Sequence, residues 1–491
     1  MADSSNNNEQ DPTVVSVTGG TIQGEVSDGV YRFLGVPYAE ARELFMPAEE
    51  VSAWDGIRDA SEYGPVSYQS PLAGNSGTDS ADYSNNCQNL NIWTPGTDGE
   101  KRPVMVWIHG GGLAFGSANE TAYDGANLSR NQNVVVVGVN HRLGVYGFLD
   151  LSFADEKYKE SDNLCILDII DALEWIQENI EKFGGDPDNV TLFGQSGGGV
   201  KIIALMSSPY AKGLFQRAVI ESGATDRQGV TFTRKEVSLA LGREILKNLD
   251  IPENHPEQLQ QVSNSDLQNA ASLAVQTIGE EYQIPQSIGT GFSYEWAPVV
   301  DGNIIPEDPV TDNGFTEAAK DCTIMIGSNL NEWNLYFPDL LKQNVTDEVR
   351  EAYLSAYPNE DPDGASNVDT LLRLPVLNVT AHKADQYTSG GAPVYSYIYT
   401  KQEPAYGAYH GAELPYVFGN GSGASDQDWT KVIQSIWASF ARTGVPTVPG
   451  ADTWEPYTRE NGAVMIIDDE SYLAYHHDEK LLSLLAPDYE W

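Results

Sequence analysis

The sequence predicts an α/β protein with a mostly parallel, twisted central sheet and helices on both of its faces. Three observations carry that expectation. Strand-like and helix-like segments alternate from about residue 100 onward, as in a parallel sheet built through helical crossovers. Val104-Met105-Val106-Trp107-Ile108 is a continuous apolar run, which is what a strand covered on both faces requires, and residues 134–139 and 190–193 repeat it. Between the last two, Ile166, Ile169, Ile170, Leu173, Ile176 and Ile180 recur at three- and four-residue intervals, so they share one face of a helix.

Taken in order, the chain opens on residues 1–12, a polar stretch expected to be a disordered tail. It lacks the basic start and apolar core of a signal peptide. Residues 13–491 read as one domain, with no internal repeat and no convincing boundary. The helix after the 134–139 run has Asp162 as its expected N-cap, and Gly184 and Gly185 as its stop after Lys182 and Phe183. Strand, helix, strand in this order predicts a right-handed crossover. Residues 235–290 carry weaker helical patterns, with Val237, Leu241, Ile245 and Leu249 in register, and residues 338–390 look helical and loop-rich. Both are expected to be insertions covering the top of the sheet. Residues 429–442 read as a further helix, with Val432, Ile433, Ile436, Trp437 and Phe440 as its apolar positions.

Composition narrows the function. Apolar residues make up 41 % of the chain, enough for a sizeable core. No stretch approaches 18 unbroken apolar residues, so no membrane span is expected, and without a signal-peptide pattern a cytoplasmic protein is expected. There are 71 acidic against 28 basic residues, a net charge of −43. Nucleic acid and anionic membrane are poor partners for such a chain. Self-repulsion of this size predicts adaptation to a salt-rich cytoplasm, where screening removes most of it. Cys87, Cys165 and Cys322 are odd in number and far apart, with no metal-ligand spacing. Neither a disulfide framework nor a metal site is expected.

Gly194-Gln195-Ser196-Gly197-Gly198 fits Gly-x-Ser-x-Gly. It follows the 190–193 strand and precedes the apolar run Val200-Lys201-Ile202-Ile203-Ala204-Leu205-Met206. Strand, sharp turn and helix are the context in which a serine becomes an exposed nucleophile at a helix N-terminus. His109-Gly110-Gly111-Gly112 follows the 104–108 strand. With no Gly-Lys-Ser/Thr ending it does not read as a phosphate loop. It suits backbone N–H groups aimed at a tetrahedral oxyanion, with Gly111 and Gly112 as donors and Gly197 as a third. The base and acid must follow the serine. Of the seven histidines, His382 and His410 remain after position and context are weighed, and His410 lies in a loop. Glu332, just past the strand-like 323–327, is a candidate acid among 71 carboxylates.

At these residues the sequence resembles the type-B carboxylesterase and cholinesterase family, especially its bacterial carboxylesterases, over nearly all of residues 13–491. The stretch from Phe183-Gly184-Gly185-Asp186-Pro187 through Gly194-Gln195-Ser196-Gly197-Gly198 looks like its signature. Phe33-Leu34-Gly35-Val36-Pro37-Tyr38-Ala39, Leu90-Asn91-Ile92-Trp93-Thr94-Pro95, Asn140-His141-Arg142-Leu143-Gly144 and Trp454-Glu455-Pro456-Tyr457 are similar to others. The resemblance implies an α/β-hydrolase fold and hydrolysis of small-molecule esters without cofactor or metal. It implies Ser196 as nucleophile, Glu332 as acid and His410 as base, with Ser222 backing the acid. A catalytically silent binding or adhesion relative and an amidase or peptidase with the same triad stay open as alternatives. Several positions depart from the pattern. Cys87 has Ser67 where its disulfide partner would stand, Gly197 replaces a commoner Ala, and Gln195 replaces Glu. Leu113 replaces an aromatic expected to wall the acyl side, and Gly77 lies near the place of a choline-stacking Trp. Choline esters are therefore poor candidates.

Overall fold

The three apolar runs fold as neighbouring central strands of one sheet. The computed structural model describes residues 11–69, 82–224, 231–288, 291–311, 314–338, 342–421 and 426–489. Its main sheet has eleven strands. They are β1 (Glu25–Ser27), β2 (Val30–Pro37), β3 (Asn89–Thr94), β4 (Arg102–Ile108), β5 (Val135–Val139) and β6 (Gly185–Gln195). They continue with β7 (Arg217–Glu221), β8 (Thr323–Asn329), β9 (Val394–Tyr399), β10 (Ala463–Ile467) and β11 (Tyr472–Tyr475). The order across the sheet is β11-β10-β9-β8-β7-β6-β4-β5-β3-β2-β1. Neighbours from β10 to β5 pair in parallel, and the flanking pairs are antiparallel. Every residue of β3, β5, β9 and β10 is buried, which explains the unbroken apolar runs of β5 and β10.

The periodic helix is α1 (Leu164–Asn179), extended by a 3-10 turn (Ile180–Phe183) and stopped by Gly184 at φ 73°. It joins β5 to β6, with β4 lying between them in the sheet. The expected N-cap is wrong. α1 starts after Asn163 without a side-chain cap, and Asp162 is buried against Lys235, whose Nζ donates to it at 2.7 Å. A buried carboxylate with an ammonium in reach gains more from that charge-assisted bond than from one backbone N–H.

Helix α2 (Gly197–Ser207) follows β6 after a single residue. The 235–290 region holds α3 (Lys235–Asn248) and α4 (Asn264–Glu281). Val237, Leu241, Ile245, Leu267 and Ile278 build a second, smaller apolar cluster there with Phe45 and Tyr146. Further on come α5 (Arg373–Thr388), the short α6 (Leu414–Phe418) and α7 (Gln427–Thr443), the last capped by Asp426 through the Trp429 N–H at 3.0 Å. The main core lines both faces of the sheet; on one of them Trp107 packs on Phe193 and Phe418.

Residues 1–10 of the expected tail lie outside the described residues, but Asp11 and Pro12 belong to the body. The Asp11 carbonyl accepts from Val14 at 2.9 Å and the Pro12 carbonyl from Thr97 at 2.9 Å. All three cysteines are free and buried. Ser67 instead accepts a hydrogen bond from the Leu143 N–H at 3.0 Å. No helix among the described residues is long and apolar enough to cross a membrane.

Candidate active site

The site begins with strand register. Gln195 at the end of β6, Glu221 at the end of β7 and Gly327 in β8 stand level across three parallel strands. Ser196 is the one residue between β6 and α2, and it takes φ 57°, ψ −125°. A non-glycine residue holds such a conformation only where its surroundings over-determine it. Here the Ser196 N–H donates to the Glu221 carbonyl at 2.8 Å, and the Ser222 N–H to the Gly327 carbonyl at 2.8 Å. The helix must also pass close to β4: a Cβ at Gly198 would stand 2.0 Å from the Ile108 carbonyl oxygen. Gly197 is the first residue of α2, so its N–H has no partner within the helix.

The glycine loop lies against this elbow. Gly111 and Gly112 take φ 87° and 59°. A Cβ at Gly197 would meet the Gly112 carbonyl oxygen at 2.6 Å, so the two proposed donor segments touch. Beyond the loop, Gln69 clamps Gly116 from both sides, accepting its N–H at 2.8 Å and donating to its carbonyl at 3.1 Å.

Glu332 and His410 meet. His410 Nδ1 donates to Glu332 Oε2 at 2.7 Å, and the His410 N–H donates to the Glu332 carbonyl at 2.6 Å. The other carboxylate oxygen accepts the Asn329 N–H at 2.7 Å. The two loops are laced together. Asn329 Nδ2 reaches the Tyr409 carbonyl at 2.7 Å, the Asn331 N–H donates to the Ala408 carbonyl at 3.0 Å, and Asn331 Oδ1 accepts the Ala408 N–H at 3.1 Å. Trp333 stacks on the imidazole, ring centroids 4.7 Å apart. A Cβ at Gly411 would lie 3.7 Å from Gln195 Nε2, so the loop carrying His410 rests against the residue preceding Ser196. The rival His382 sits on α5 and bonds its own helix at the Asn378 carbonyl, 2.8 Å away.

Comparison with known proteins decides the family. The carboxylesterase family model matches residues 11–362 and 334–482. The chain belongs to the carboxylesterase family. It is 36 % identical over 487 residues to the para-nitrobenzyl esterase of Bacillus subtilis (strain 168), covering 93 % of this chain and 95 % of that one. It is 31 % identical over 504 residues to the phenmedipham hydrolase of Pseudarthrobacter oxydans, again covering 93 % and 95 %. A solved esterase from Clostridium hathewayi, described as able to hydrolyse aliphatic aromatic polyesters, superposes with a TM-score of 0.85 at 32 % identity, covering 98 % of both chains. The carboxylesterase is thus a carboxylic ester hydrolase of the α/β-hydrolase fold.

Electrostatics in this carboxylesterase centre on four buried carboxyls: Glu332, Glu413, Glu221 and Asp369. Burial pushes Glu413 and Asp369 up from the carboxylate range, and the charge of Glu332 pushes them further. Burial also holds Glu221 well above that range, with Glu413 adding to it. For His410, burial works to lower the pKa. The Glu332 charge and hydrogen bond outweigh it, with Glu413 and Asp369 behind them, and the imidazole ends above its ordinary value.

Some expected positions stand elsewhere. Ser222 is buried at φ 50° beside the elbow, but its hydroxyl has no hydrogen-bond partner among the described residues; the Asn329 N–H is what supports the acid. Leu113 is buried in the main core, and the exposed aromatic on that loop is Phe115. Gly77 lies outside the described residues. Sequence reasoning passed over Trp333, Glu413, Glu221 and Lys201. The last two carried a readable signal, a charge inside or ending an apolar run.

Proposed function

We propose that this esterase hydrolyses small-molecule carboxylic esters through an acyl-serine intermediate on Ser196, with His410 as base and Glu332 as its orienting acid. The carrying observation is the His410–Glu332 contact at 2.7 Å, on a loop resting against the strained elbow of Ser196. His410 takes the Ser196 proton as the hydroxyl attacks the ester carbonyl, then returns it to the departing alcohol. Glu332 holds Nδ1 protonated, leaving Nε2 to act, and stabilises the imidazolium. The N–H groups of Gly111, Gly112 and Gly197 receive the oxyanion. Water repeats the cycle on the acyl-enzyme. No cofactor enters the scheme.

A fluorophosphonate probe tests the reading. The folded protein is expected to carry one adduct at Ser196, and Ser196→Ala none. p-Nitrophenyl esters are expected to turn over faster than the matched anilides. Folded protein without an adduct at Ser196 would return it to the silent relatives, and equal turnover of the anilides would make it an amidase.

A further inference from the structure

Lys201 is a charge where the sequence reads as apolar. It lies on α2, about one turn past Gly197, and its side chain is fully buried. Its Nζ donates to the carbonyl oxygen of His109 at 3.0 Å, the residue that opens the 110–112 glycine loop. The groups around it are neutral. His109 and His141, from the loops after β4 and β5, stack with ring centroids 4.6 Å apart. Burial and then the Lys201 charge hold both below the ordinary histidine value. Cys165, from α1, lies 3.5 Å from His141 Nδ1, and burial keeps it a thiol. Asp168, on the far side of the set beside Cys165, is committed to Arg142 at 2.6 Å. A cation in the first turns of a helix also opposes the helix dipole. So an ammonium stands buried at the wrong end of a helix, with no carboxylate paired to it among the described residues. Local rules broken this way concentrate at functional sites.

We propose that Lys201 is a positioning residue of the reaction: its ammonium holds the His109 carbonyl, seats the glycine loop against Gly197, and places a positive charge behind the N–H groups that receive the oxyanion. This rests on the oxyanion reading of Gly111, Gly112 and Gly197. The hydrogen bond fixes the start of the loop, and the uncompensated charge favours the negative oxygen that exists only in the tetrahedral intermediate. Its loss should therefore appear in kcat more than in KM.

The arrangement has a pH signature. Burial pulls Lys201 down to about 8, so the charge is present below that pH and lost above it. A serine hydrolase limited only by its histidine rises through the histidine pKa and then stays level. Here kcat should fall again on the alkaline side.

The experiment measures kcat and KM for p-nitrophenyl butyrate from about pH 6 to 10 in the wild type, Lys201→Met and Lys201→Gln. The wild type is expected to lose activity with a midpoint near about 8. Lys201→Met should show kcat lowered by about 10- to 100-fold, KM within about twofold, and no alkaline fall. Lys201→Gln, which keeps an N–H donor without charge, should lie between and also lack the fall. A wild-type plateau through the whole alkaline range overturns the proposal even where no variant folds. So does Lys201→Met with unchanged kcat or an unchanged profile. Labelling of Ser196 tells this failure from failure of the underlying reading: a protein that labels normally but shows neither Lys201 effect loses only this proposal.

Discussion

Gly197→Ala tests the spacing of the proposed oxyanion site. The added methyl would stand 2.6 Å from the Gly112 carbonyl oxygen and 2.7 Å from its carbon. Carbon and oxygen rest at about 3.3 Å or more, so something must retreat by at least half an ångström. The obstacle is backbone rather than a flexible side chain, and that backbone is tethered on both sides. Lys201 grips His109 before it, at 3.0 Å, and Gln69 grips Gly116 after it, at 2.8 Å. A misplacement of about 1 Å in a catalytic constellation costs about 100-fold in rate, so half of it costs about 10-fold. The expected loss in kcat is about 10- to 100-fold, or about 1.4–2.7 kcal/mol of barrier, with KM little changed. Gly197 does not need a positive φ. The substitution also reduces the freedom of the unfolded chain, worth about 0.4–1 kcal/mol toward stability, which offsets part of the strain and keeps the protein folded. The assay pairs steady-state kinetics on p-nitrophenyl butyrate with the rate of fluorophosphonate labelling at matched thermal midpoints. A kcat within about twofold of wild type, or a loss confined to KM, would show that the loop does not depend on its contact with Gly197.

Glu332→Gln should lower kcat by up to about 10⁴-fold. As the proposed base His410 would act only when neutral, and Glu332 holds its pKa up, so the acid-side midpoint of kcat/KM should move down in the variant; a fixed midpoint contradicts the pairing. Asp168→Ala strands a fully buried Arg142 guanidinium that now holds Asp168 through Nε at 2.9 Å and Nη2 at 2.6 Å. The expected cost is about 3–5 kcal/mol in urea unfolding, and equal stability refutes it. With a net charge of −43, thermal unfolding should move to higher temperature between about 0.1 M and 3 M KCl. Identical curves would remove salt adaptation from the account.

What the sequence made legible was periodic or punctuated. The spacing of Ile166, Ile169, Ile170, Leu173 and Ile176 located α1, because one buried face imposes one period. The elbow was legible because a strand, one serine and a helix cannot be joined without small residues around Ser196. Glu332 was not legible from pattern alone. What distinguishes it from the other acidic residues is contact with a loop 78 positions away. Resemblance supplied it; physics did not. Asp162 failed as a cap for the same reason in reverse, since its partner Lys235 lies 73 residues further on. Chain order carries little information about which distant loop a polar side chain will meet.

That blindness hides how the site is balanced. On the proposed mechanism each turnover creates two charges, an imidazolium on His410 and an oxyanion near Gly111, Gly112 and Gly197. Glu332 faces the first, and burial pushes the neighbouring Glu413, Glu221 and Asp369 toward their neutral forms. The second must develop inside a molecule carrying 43 excess negative charges. Surface charge is screened by salt, but a buried site is screened far less. An oxyanion in such a chain gains from a cation that water and counterions cannot reach. Lys201, buried on the helix behind the glycine loop and paired with no carboxylate among the described residues, is that cation. The same reasoning makes the two perturbations differ in salt. Screening by KCl should change the stability of the whole chain while leaving the Lys201→Met deficit in kcat nearly constant. A deficit that salt erased would place the effect of Lys201 at long range, outside the loop it holds.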